Sequence, residues 1–196
     1  MVREILVLYY SKKGSTKKLA NYIARGINSI EGAKARIRTV PDVTTVSEAA
    51  RNLRVTDVYA TTSDLEECIA LALGSPVHFG NMASSLKHFF DNATHQWLVG
   101  ILAGKAASVF TSSASLHGGQ EVCLWTMIVP LLHHGMIIVG LPYTDSALMK
   151  TKTGGTPYGV SHHAGIDDDM EISPEEKHLA ILQGKLLAEA ALKLSK

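Results

Sequence analysis

Hydroxyls and a glycine crowd the end of the first apolar run of this chain. Ile5-Leu6-Val7-Leu8-Tyr9-Tyr10 leads straight into Ser11-Lys12-Lys13-Gly14-Ser15-Thr16. Leu19, Ala20, Ile23, Ala24 and Ile27 then recur at helical spacing. A buried strand, a tight turn and a helix start together make an anion site. The first N–H groups of a helix lack partners within it, and the helix dipole adds partial positive charge there. Ser11, Ser15 and Thr16 add hydroxyl donors, and Gly14 lets the backbone come close. The expected chemistry is phosphate binding. The turn matches neither G-x-x-x-x-G-K-[ST] nor G-x-G-x-x-G, which argues against a P-loop nucleotidase and a Rossmann dinucleotide site. An ordinary Ser- or Thr-capped turn is the plain alternative.

Two later turns share this chemical style. One runs from Gly74-Ser75-Pro76-Val77-His78-Phe79 to Gly80-Asn81-Met82. The other holds Ser112, Ser113, Gly118 and Gly119 between Thr111 and Glu121. Each follows an apolar strand-like run. Three such turns at one edge of a parallel sheet would cradle a flat, phosphate-tailed ligand.

The elements that must position these turns alternate along the chain. Strand-like runs are Ile5–Tyr10, Ala35–Val40, Cys68–Leu73, Ala106–Phe110 and Met136–Leu141. The second alternates with period two, as a half-exposed edge strand would. Helical patterns lie near residues 15–30, 83–95 and 119–133. A last helix opens at Ser173-Pro174-Glu175-Glu176, with a serine cap, a proline at the first position and acids in the first turn. This rhythm predicts one α/β domain over residues 1–196, a doubly wound five-strand parallel sheet with helices on both faces. Ligands of such sheets bind at the carboxyl ends of the strands. Residues 42–66 read as a loop with a short helix near Ser47–Leu53. Residues 143–172 show no periodicity and read as a functional or interface insert.

Composition narrows the function classes. The 196 residues are 46% hydrophobic and 19% charged, with a net charge of +1. No basic stripe favours nucleic acid, and no apolar run reaches the roughly 20 residues of a membrane span. Met1-Val2-Arg3-Glu4 leads directly into a strand, so a secretory leader is not expected and a cytoplasmic location is. Cys68 and Cys123 sit in apolar segments and read as buried reduced thiols. His162-His163 and Asp167-Asp168-Asp169 lack metal-ligand spacing and read as a solvated loop, so no metal site is expected.

Four ordered segments, GSPVHFGNMASSLKHFFD, GKAASVFTSSASLHGGQE, PLLHHGMIIVGLPY and GGTPYG, resemble the WrbA family of flavodoxin-like NAD(P)H:quinone oxidoreductases. The similarity spans nearly the whole chain except residues 42–66. S-x-x-G-x-T after the first strand is also a flavodoxin-like pattern. The resemblance implies noncovalently bound FMN, NADH or NADPH as donor, a homotetramer (or dimer), and two-electron reduction of a quinone. It implies ping-pong turnover, with hydride passing through flavin N5.

By position, the resemblance assigns Ser11, Gly14, Ser15 and Thr16 to the FMN phosphate. Val77, His78 and Phe79 fall beside the isoalloxazine. Ser112, Ser113, Gly118 and Gly119 fall at the ribityl chain and pyrimidine edge. His133 falls at the flavin and is placed to hydrogen-bond or protonate the quinone, while Trp97 and Tyr143 fall at the quinone pocket. A continuous helix from Gly119 to His133 would be roughly 21 Å long. Either Pro130 breaks it, or His133 serves the flavin of a neighbouring copy. The chain departs from the family at Lys13, where an aromatic residue is common, and at His78, where arginine is common. An electron-transfer flavodoxin and a noncatalytic scaffold of the same fold are the alternative readings.

Overall fold

The computed structural model describes residues 2–43 and 57–195. The expected helix near Ser47–Leu53 lies outside the described residues. The first strand, β1 (Arg3–Tyr9), feeds helix α1 (Ser15–Asn28), and the chain returns as β2 (Ala33–Thr39). After α2 (Thr62–Glu67) come β3 (Ala70–Pro76), α3 (Ser84–Asp91), α4 (Thr94–Leu98) and β4 (Ala106–Ser113). Then follow α5 (Gln120–His133), β5 (Ile137–Ile138), α6 (Ser146–Lys150), β6 (Val160–His163) and α7 (Pro174–Leu194).

Among the described residues every pairing between these strands is parallel, in the order β2-β1-β3-β4 with β5 and β6 both on β4. The alternation of β1 sorts its side chains between two cores. Ile5, Val7 and Tyr9 join α1 and α7 on one face, and Leu6 and Leu8 join α3 and α5 on the other. Both faces are therefore covered, which is why β1, β3 and β4 read as continuous apolar runs. The helices α1 and α7 cross closely. A Cβ on Gly26 would fall 2.1 Å from the Ile181 carbonyl oxygen, and one on Gly184 would fall 2.1 Å from that of Ile23.

The fifth strand position is shared by two short strands. β5 pairs with Ala106 and Ala107, and β6 pairs further along with Phe110 through Ser113. Between them the chain leaves the sheet, because Pro142 has no N–H to give and Gly140 lies against the Pro157 carbonyl. The expected structureless insert over 143–172 thus contains a helix and a strand. Its sequence hid them: Val-Ser-His-His is too short and polar for hydropathy to mark. The pattern near 83–95 likewise resolves into α3 and α4, separated at Asn92-Ala93.

Candidate functional site

The loop after β1 carries the polar end of the site. Gly14 stands at φ 122°, a left-handed conformation that glycine adopts without a Cβ penalty, and caps α1 with backbone alone. Its N–H donates to Ser11 Oγ at 3.1 Å. No side chain caps α1 and its first turn carries no acid; the carboxyl group that lines the cavity above it is Asp168. Thr16 Oγ1 pairs with Ser112 Oγ at 2.7 Å, which ties the first loop to the end of β4. Ser15 Oγ is buried with no hydrogen-bond partner among the described residues. An orphaned buried hydroxyl at an uncapped helix start fits a phosphate group.

A cavity of about 190 Å3 opens over this turn. Residues from Ser11 to Thr16 form its floor, Val77 and His78 one side, and Ser112 and Ser113 another. Val77 N–H donates to the Ser112 carbonyl, joining the second and third loops. The fourth wall is Ala164, Gly165, Ile166 and Asp168, directly after β6. Sequence reasoning missed these residues, and the aperiodic insert was the only signal that pointed to them. Lys13 reaches this wall, its Nζ donating to the Ile166 carbonyl at 3.4 Å.

The second loop turns tightly, His78 and Asn81 exchanging backbone hydrogen bonds across Phe79 and Gly80. Phe79 is fully exposed and sits at φ 52°, an uncommon conformation for a bulky residue. The third loop lies against this turn. A Cβ on Gly119 would come 3.3 Å from Gly80 Cα, and Gly119 itself has φ 90°. One on Gly118 would meet Ser115 Oγ at 2.7 Å. Both glycines thus let one loop nest within itself and against another, and neither lines the small cavity.

A second cavity, of about 1050 Å3, meets the first at His78. Phe79, Met82, Phe90, Trp97, Val129 and Pro130 give it an apolar lining, with His133 and His134 at one side. Trp97 and His133 stack with ring centroids 5.5 Å apart and planes 19° from parallel. Trp97 Nε1 donates to the His133 carbonyl at 3.1 Å, fixing the indole. Trp97 is 41% exposed and so is not a core residue. Burial, with His133 adjacent, holds the His134 imidazole below its ordinary value. Helix α5 runs unbroken through Pro130 to His133, so proline does not end it as one expected alternative required. Tyr143 is exposed and lines neither cavity.

The profile of the NADPH-dependent FMN reductase family matches residues 4–145. The chain belongs to that family. A curated member of similar sequence, an NAD(P)H dehydrogenase (quinone) of Chromohalobacter salexigens, is 40% identical over 198 residues, covering 98% of each chain. Two solved structures share the fold. A WrbA-like flavodoxin of Agrobacterium tumefaciens superposes with a TM-score of 0.69 at 21% identity, covering 98% of this chain and 99% of that one. Oxidised flavodoxin 1 of Bacillus cereus gives 0.61 at 18% identity, covering 95% and 97%. The flavodoxin-like, WrbA-like resemblance read from the sequence agrees with these matches.

As an FMN reductase family member this chain is an oxidoreductase whose cofactor is FMN and whose donor is a nicotinamide nucleotide. The residues present fit that cofactor at its phosphate end, through the uncapped α1 and the hydroxyls of Ser11, Ser15, Thr16 and Ser112. Burial pushes the Cys68 and Cys123 thiols up to about 11, so both are inert at neutral pH. His162, expected in a solvated loop, is instead fully buried and bonded to Glu176. Among the described residues no helix is long and apolar enough to cross a membrane.

Proposed function

We propose that this chain reduces quinones by two electrons with NADH or NADPH, in alternating half-reactions at one FMN site. The observation that carries this reading is the meeting of two unlike cavities at His78, one small and phosphate-sized, the other wide and apolar. FMN, when bound, supplies the redox chemistry that no amino acid side chain offers. Ser11, Gly14, Ser15 and Thr16 hold its phosphate. Ser112 and Ser113, with the Gly118–Gly119 turn, border the ribityl chain and the pyrimidine edge, where helix α5 begins and its N–H groups favour negative charge. Val77, His78 and Phe79 flank the ring.

Donor and acceptor are both flat, and one wide apolar chamber suits each in turn. Trp97 is its wall, held by the stack on His133. With α5 unbroken, His133 serves the flavin of a neighbouring copy, where it is placed to donate a proton to a quinone oxygen as that oxygen gains charge. Tyr143 enters only as a contribution from another copy. That reading draws support from an exposed apolar row on α5, with Val122, Trp125, Val129 and Leu132 all about half exposed or more. A row of that kind marks an association surface, and we infer a tetramer or dimer working in the cytoplasm.

The test is steady-state benzoquinone reduction by NADH and by NADPH. Parallel double-reciprocal lines and a flavin absorbance at about 450 nm in the purified protein, a general property of oxidised flavins, are expected. Flavin-loaded protein that passes no electrons to any quinone would overturn the reading.

A further inference from the structure

The fourth wall of the small cavity is a firmly built turn. Ala164 N–H donates to the Ser113 carbonyl at 2.8 Å, and Met170 N–H closes the turn on the Ala164 carbonyl at 3.0 Å. Just before it, His163 N–H donates to Glu176 Oε1 at 3.0 Å. Glu176, in the first turn of α7, is 1% exposed and also accepts from His162 Nδ1 and from the N–H groups of Gly154 and Ser173. Burial alone would raise this carboxyl, yet the His162 and backbone bonds hold it down at about 2. The stretch from Ala164 to Asp168 thus stands on fixed supports.

Charge is distributed unevenly round this cavity. Lys12 and Lys13 line it from the first loop and Asp168 from the fourth wall, with the titratable His78 beside Val77. Lys17 and Lys18, further along α1, are engaged by Asp57 at 2.6 Å and Glu171 at 3.5 Å. Of the two lining lysines, only Lys13 has a hydrogen bond from its side chain among the described residues, Nζ to the Ile166 carbonyl at 3.4 Å. Lys13 is exposed, so its stem runs on the solvent side from the first loop to the wall that faces it. At the floor lies Ser15 Oγ, buried and without a partner among the described residues.

We propose that Lys13 is the specificity-determining residue of this cavity, a cationic strap across the flavin phosphate that selects FMN over flavins lacking one. An ammonium carries three N–H donors. One rests on Ile166, and two remain for phosphate oxygens. A phosphate monoester carries about −1.5 to −2 charges near neutral pH, whereas the start of α1 offers only about half a positive charge. Asp168 sets a further negative charge on the same cavity, which the ammonium offsets. The inference deepens the flavin reading and rests on it.

The experiment measures apoprotein binding of FMN and of riboflavin, which lacks the phosphate, at low and high salt. Lys13→Met keeps the stem and removes the charge. It should fold with a near-native melting temperature, bind FMN about tenfold more weakly, and bind riboflavin unchanged. Lys13→Arg should keep most of the FMN affinity. Lys12→Met, which removes a cation that spans nothing, should cost FMN only about twofold. In wild type the preference for FMN over riboflavin should shrink as salt rises, because an exposed ammonium is screened; in Lys13→Met it should barely change. Equal weakening for both flavins, no weakening in Lys13→Met, a loss in Lys13→Arg or Lys12→Met as deep as in Lys13→Met, or a salt response that survives Lys13→Met would each overturn the proposal. Wild-type apoprotein that binds neither flavin would instead sink the flavin reading itself, and this inference with it.

Discussion

The two cavities that meet at His78 are built on opposite plans. The small one is walled by four loops tied to each other by buried hydrogen bonds, including Thr16 to Ser112 at 2.7 Å and Ala164 N–H to the Ser113 carbonyl at 2.8 Å. The large one is lined by apolar and aromatic side chains with few polar constraints, Trp97 to the His133 carbonyl being the clearest. The difference is what the proposed function would require. A phosphate that stays needs fixed donors, whose geometry must be set before it arrives. Flat rings that come and go need a wide surface that grips by area rather than by direction.

The polar end should break most sharply. Gly119→Val places a side chain on a φ of 90° and against Gly80 Cα, so the third loop must move. Flavin affinity is expected to fall roughly a hundredfold, as for a few kcal/mol of backbone and steric strain. Flavin content of the purified variant checks this, and stoichiometric retention would show that the loop tolerates displacement.

Acid should act on the same end through Glu176. Its folded value lies near 2 and its unfolded value near 4.5, so the stability it contributes is complete above 4.5 and is lost as pH falls toward 2. The contribution is on the order of 3 kcal/mol. Denaturant titrations at pH 6 and pH 3 should show that loss in wild type and a smaller one in Glu176→Gln. Equal losses would assign the acid sensitivity elsewhere.

The apolar end should yield more gently. Trp97→Ala removes the wall but not the phosphate grip, so quinone KM should rise about tenfold, on the scale of one buried aromatic contact, with FMN affinity nearly unchanged. An unaltered KM would mean that the stack on His133 serves the fold alone. The smallest effect is expected on α5. Trp125→Ser with Val129→Ser should reduce the assembled mass in light scattering while leaving the melting temperature of the chain almost untouched, since both side chains are about half exposed or more.

Much of this was legible beforehand. The run Ile5–Tyr10 into Ser11–Thr16 announced a buried strand and a tight turn into a helix, because its signals are local: hydropathy, a glycine and three hydroxyls within six residues. The last helix announced itself through Ser173, Pro174 and the acids after them, and the capping box forms between Ser173 and Glu176. The resemblance assigned Trp97 to a quinone pocket and His133 to the flavin; the structure stacks their two rings. It also pointed to Tyr143, which one copy of the chain leaves on the surface.

The sequence by itself determined the strand–turn–helix rhythm, the parallel sheet and the hydroxyl- and glycine-bearing turn after β1, since each depends on residues within a few positions of one another. Only the tertiary structure decided the fourth wall at Ala164–Asp168, the division of the fifth strand and the burial of His162 against Glu176. Those features depend on where a polar, aperiodic segment returns to the sheet edge. Side-chain periodicity carries no information about that return; the unmatched backbone edge of β4 does.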